Sequence, residues 1–142
     1  MTDRLTGVVP PVLTPLTADG EIDLASLERL VTRMLEAGVD GLFALGSSSE
    51  AAYLDDRSRT AALEAVTGIV AGEVPVLAGV IEMQLSRVLT HVRIAERVGA
   101  AGVVATAPFY SITGPDETEA HFRGIAAATD LPVLAIGDVT LA

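Results

Sequence analysis

The chain is 142 residues long and carries 19 acidic against 9 basic side chains, for a net charge of −10. This surplus of acid leaves no basic footprint for a nucleic acid and disfavours an anionic membrane surface. The absence of cysteine removes disulfides, thiolate nucleophiles and zinc-finger spacing.

Half of the residues are hydrophobic but only 4% are aromatic. Ala, Val, Leu and Ile make up the apolar mass, the palette of parallel strands buried on both faces. The length suits one domain with a real core. Met1-Thr2-Asp3-Arg4-Leu5 lacks the apolar centre of a signal peptide. No apolar run approaches the roughly 18 residues that cross a bilayer, so a soluble, cytoplasmic protein without a membrane partner is expected.

The first apolar run, Val8 to Leu13, contains Pro10 and Pro11, which cannot donate ladder hydrogen bonds. A short or irregular strand is expected there. Asp23 is placed to cap a helix with Leu24, Leu27, Val31, Met34 and Leu35 on one face and Gly38 as its stop. After a strand over Gly41 to Leu45, Asp55 or Asp56 opens a second helix. It turns Leu63, Val66, Ile69 and Val70 inward and ends at Gly72. Val74 to Val80 reads as the third strand. The next helix, with Ser86 as its expected cap, repeats Leu85, Val88, Leu89, Val92 and Ala95 before Gly99. Gly102 to Ala107 is a fourth strand, and Pro115-Asp116 starts a helix expected to bury Phe122, Ile125 and Ala126. Leu131 to Ile136 is the fifth strand.

The order is β-α-β-α-β-α-β-α-β, and spacings of about 30 residues match βαβ units. A doubly wound open sheet and part of a (β/α)8 barrel both fit this α/β pattern. The first turn, Thr14 to Gly20, has no G-x-G-x-x-G, and no Walker A pattern occurs. The dinucleotide-binding alternative is weakened accordingly.

The most specific local feature is Leu45-Gly46-Ser47-Ser48-Ser49-Glu50, which follows the second strand. Parallel α/β proteins carry their sites at strand C-termini. Consecutive hydroxyls and N–H groups there can hold a carboxylate or phosphate. The alternative is that small polar residues simply make a turn. A serine nucleophile is not indicated, since Glu50 stands where G-x-S-x-G needs its second glycine. Tyr110, after the fourth strand, could relay protons, meet a neighbouring subunit, or be an ordinary loop tyrosine. His91 and His121 are expected on outer helix faces without a metal partner. Asp55-Asp56 and Asp116-Glu117 read as helix-start charges.

Taken as a series, these segments resemble the dihydrodipicolinate synthase and N-acetylneuraminate lyase family of class I aldolases. The matching pieces are Gly7 to Pro15, Gly38 to Leu42, Gly46 to Glu50, Pro75 to Val80, Ala107 to Tyr110 and Asp130 to Leu134. The resemblance implies a (β/α)8 TIM barrel, with residues 1–135 supplying about strands one to five and four helices. It implies a small keto acid such as pyruvate as substrate, held as a lysine Schiff base with no cofactor or metal. By the family motif Gly-Thr-Thr-Gly-Glu, Ser47 takes the proton-relay position, and Ser48, with Ser49 beside it, the carboxylate-binding one. Tyr110 matches a tyrosine that in many members reaches across a tight dimer interface.

Three departures bear on activity. Ser49 replaces a glycine of the motif, and a left-handed backbone there would strain the loop. Ile136-Gly137-Asp138 stands where the family has its acid/base tyrosine. All nine basic residues are arginines, whose guanidinium stays protonated and offers no amine for a Schiff base. Residues 136–142 depart from the family pattern, as a truncated gene or a shifted frame would produce. The expectation is a lyase-family chain that is inactive alone and assembles with itself or with a complementing barrel half. The alternative is a non-catalytic half-barrel that binds small carboxylates.

Overall fold

The computed structural model describes residues 5–137. Helix α1 spans Leu24–Glu36, strand β1 Leu42–Ala44, α2 Asp56–Val70 and β2 Val76–Gly79. They are followed by α3 at Leu85–Arg97, β3 at Gly102–Thr106, α4 at Pro115–Ala126 and β4 at Val133–Ile136. All neighbouring strands pair in parallel, in the spatial order β1-β2-β3-β4. A doubly wound sheet reverses its strand order at a switch point, whereas consecutive order is what a (β/α)8 barrel requires. The described residues form an arc of such a barrel. No helix among them is long and apolar enough to cross a membrane.

The Val8–Leu13 run is the irregular edge that its prolines demand. Pro11 bridges Phe43, the Phe43 N–H donates to the Pro10 carbonyl at 3.0 Å, and the Val12 N–H donates to the Phe43 carbonyl at 2.8 Å. Proline thus contributes acceptors without needing to donate.

Local chemistry sets most helix boundaries. The Asp23 carboxylate accepts from Ser26 N at 3.0 Å, and Asp55 accepts from Ser58 N at 2.7 Å. Glu117 reaches back to Gly114 N at 2.9 Å, with Pro115 in the first turn of α4. These are N-terminal caps as their residue types predict. Ser86, however, is no cap: α3 begins one residue earlier, behind Gln84. Leu85 is drawn into the helix because its side chain packs over Gly124 of α4, where a Cβ would come within 2.6 Å of Leu85 Cδ2.

One apolar cluster joins Leu27, Val31, Val66, Val70, Val88, Val92 and Ile125 of the helices to Leu42, Ala78 and Val103 of the strands. Leu24, 57% exposed, and Ala126, also exposed, are not part of it. The opposite sheet face carries Phe43, Leu77, Val104 and Leu134, in register as Phe43↔Leu77 and Val104↔Leu134. Ala78, between Leu77 and Gly79 in β2, faces the helices instead. Val104 is only 2% exposed. Curvature accounts for this: Leu77 and Leu134 lean together over Gly102, where any Cβ would meet both. Phe43, Thr106 and Leu134 on this face are half-buried, and exposure is greatest at the β4 edge, with Ile136 at 48%. Of the tail 136–142 that is expected to depart from the family pattern, residues 138–142 lie outside the described residues.

Candidate functional site

The loop after β1 is held by two left-handed residues and one close backbone approach. Leu45 and Glu50 adopt left-handed conformations, with φ of 60° and 56°. Leu45 passes so near β2 that a Cβ on Gly79 would lie 1.9 Å from its carbonyl oxygen. Only glycine at 79 permits that path. Within the bracket, Ser47–Ser49 form one 3-10 turn.

The three serines have different fates. Ser47 and Ser48 are exposed. Ser49 is 1% exposed; its hydroxyl donates to the Val12 carbonyl and accepts from Gly46 N at 3.2 Å. That hydroxyl ties the loop to the irregular first segment and is not presented to a ligand. The backbone strain expected at Ser49 sits instead at Leu45 and Glu50, so serine in place of glycine is accommodated.

Ser47 belongs to a cleft of about 260 Å³ lined also by Gly46, Glu50, Tyr53, Ile81, Thr106 and Phe109. Its walls come from the C-terminal ends of β1, β2 and β3, where a parallel barrel places its chemistry. Tyr110 stands clear of the walls at 90% exposure, with Tyr53 and Ile112 also projecting. The Phe109 and Tyr110 N–H groups both point to Met83 Sδ at 3.2 Å. The arrangement thus brings Ser47 into the cleft, leaves Ser48 on its surface and holds Tyr110 outside it.

Both histidines are buried, 5% exposed for His91 and 7% for His121, not on outer faces. His91 shares the stripe of Val88 and Ala95 in α3, so its spacing carried the signal. It faces an ionic cluster absent from the sequence reading. Arg87 donates to Asp56 at 2.9 Å and to Glu82 at 3.0 Å, while Arg59, 1% exposed, reaches Glu82 at 3.2 Å and the Ile81 carbonyl at 3.1 Å. His91 Nε2 lies 3.5 Å from Asp56 and 3.6 Å from Glu82. Ligand atoms of Asp56, Glu82 and His91 fall within 4.8 Å of one another. Two guanidinium groups already occupy those carboxylates, so the cluster is an ion-pair network rather than a cation site. Burial, and then the Arg59 charge, holds His91 below its ordinary imidazole value. The Arg87 hydrogen bond does the same for the Glu82 carboxyl.

Consecutive parallel βα units with a polar loop at the strand ends define part of a (β/α)8 barrel of the TIM type. The sequence profile of the Dihydrodipicolinate synthetase family matches residues 4–136, and the chain belongs to that family. It is 40% identical over 129 residues to an uncharacterized DapA-like lyase of Halobacterium salinarum, covering 91% of this chain and 42% of that protein. Identity to a 4-hydroxy-tetrahydrodipicolinate synthase of a Shewanella strain is 31% over 128 residues, or 90% of this chain and 44% of the relative. A prophage protein of the dihydrodipicolinic acid synthase family from E. coli, solved in complex with pyruvate, superposes with a TM-score of 0.90 at 33% identity. That match covers 94% of this chain and 45% of the neighbour. The chain therefore spans under half the length of the relatives it matches.

Proposed function

We propose that this chain supplies the carboxylate-binding side of a keto-acid site in a lyase of the dihydrodipicolinate synthase family, and that these 142 residues alone do not turn substrate over. The observation that carries the reading is the Ser47–Ser48 hydroxyl pair, held on a braced loop at the end of β1 and next to a cleft of small-ligand size. Pyruvate bound to the E. coli relative supports a small keto acid as the ligand class. The hydroxyl of Ser48 would donate to the carboxylate, and that of Ser47 would pass a proton, as the motif positions imply. Tyr110, exposed beside the site, is available to a second subunit.

The catalytic steps need groups this sequence does not hold. No residue is a lysine, so no side-chain amine can condense with a carbonyl. Ile136, at the end of β4, stands in the place of an acid/base tyrosine and cannot move a proton. An amine from outside these residues would complete the site.

Two measurements on the 142-residue chain test this. Calorimetry should detect weak pyruvate binding that Ser48→Ala reduces by about 1 kcal/mol, more if the bond is charge-assisted. Identical binding by the variant, or none by the parent, rejects the loop's role. Borohydride reduction with pyruvate, read by intact mass and peptide mapping, should leave no adduct on any side chain. An internal adduct would overturn the claim of inactivity.

A further inference from the structure

Thr106, the last residue of β3, presents an anomaly that the site described so far does not use. Among the described residues, its side-chain oxygen is shielded from solvent and has no hydrogen-bond partner. A hydroxyl in that condition carries its full desolvation cost with nothing in return. The neighbouring strand positions are Val103, Val104 and Ala105, and valine would fill the same shape without that cost. Yet the residue forms part of the cleft wall, together with Ser47, Ile81 and Phe109.

Its placement is specific. Side chains alternate along a strand, so Thr106 lies on the same face as Val104, the face opposite the helices. It pairs in register with Ile136 of β4. Thr106 is thus a polar group on the inner face at the sheet's C-terminal rim, where its register partner has no polar side-chain atom. A free alcohol of this kind holds its proton far above neutral pH, so it can bind an acceptor but not serve as a base. Exchange of its methyl and hydroxyl needs rotation about a single torsion, and threonine populates more than one such rotamer.

The geometry points to Thr106 as a third hydroxyl of the ligand site, donating to an acceptor oxygen of a small keto acid beside the Ser47–Ser48 loop. This rests on the keto-acid reading above and adds a residue to it. The orphaned hydroxyl is retained because the ligand, not the protein, satisfies it. Stability and binding should then move in opposite directions when it is removed.

The test compares the full 142-residue chain with Thr106→Val, Thr106→Ser and Ser48→Ala, using thermal unfolding without ligand and calorimetry with pyruvate. Thr106→Val should unfold at a higher temperature than the parent and bind pyruvate about five- to tenfold more weakly, the worth of one ordinary hydrogen bond. Thr106→Ser should keep binding within about threefold, a margin narrower than one such bond. If Thr106→Val binds like the parent while Ser48→Ala is weakened, the role of Thr106 is wrong and the keto-acid reading stands. Lower stability together with weaker binding in Thr106→Val would mean a packing role and would also overturn the assignment. So would failure of serine to preserve binding. Absence of pyruvate binding by the parent removes both readings.

Discussion

His91 illustrates how one buried residue couples the fold to pH. Asp56 of α2 and Glu82, which follows β2, face it from one side, with Arg59 and Arg87 on the same carboxylates. Since burial and Arg59 keep its affinity for a proton below the ordinary imidazole value, the unfolded chain is protonated at a higher pH than the folded one. The stability tied to neutral His91 is complete above about 6.5 and is lost as pH falls through that value toward the lower folded one. Denaturant midpoints at pH 7.5 and 5.5 should therefore fall on acidification by more in the parent than in His91→Gln. The comparison is of the pH dependence, not the absolute midpoint, because replacing imidazole by an amide also changes packing in the pocket. An equal pH dependence in both proteins would show that His91 does not carry the effect.

At the scale of elements, boundaries were legible wherever their causes are local. Asp23 and Asp55 cap from three residues away, and Pro10 and Pro11 keep the first segment irregular whatever surrounds it. Ser86 misled because the start of α3 is set by Leu85 packing on Gly124, a contact between helices. The position of the Ser47–Ser48 loop was readable from its strand, but the inward turn of Ser49 was not. Its acceptor is the Val12 carbonyl, 37 residues distant. The ion-pair cluster was hidden for the same reason, with Asp56 and Arg87 separated by 31 residues. One local feature shows strain: α2 closes on Ala71 at φ 49°, followed by Gly72 at φ 82°. A left-handed residue with a Cβ costs roughly 1–2 kcal/mol, part of which glycine recovers against its greater unfolded-state freedom. Ala71→Gly should raise stability by about 0.5–1 kcal/mol in urea unfolding. A loss of stability would show that the α2 terminus is not under strain.

For the molecule as a whole, the sheet ends in a strand with no neighbour beyond it among the described residues. β4 pairs only with β3, and its Ile136 is 48% exposed. An unpaired parallel edge offers a row of backbone donors and acceptors, and apolar strands make it a template for another chain. A second sticky region lies at the strand C-termini, where Tyr53, Phe109, Tyr110 and Ile112 all project. Exposed apolar side chains that lie together favour contact with another surface. Opposing both is the net charge of −10, which repels one copy from another. The balance predicts assembly that strengthens with ionic strength, since salt screens the charge over about 10 Å at 0.1 M and 3 Å at 1 M without weakening apolar contact. Light scattering on size-fractionated protein at micromolar concentration should show species larger than 14.6 kDa, increasing from low salt to about 0.5 M. A compact monomer that unfolds cooperatively at every salt concentration would mean that the curved sheet already satisfies its own edge and inner face.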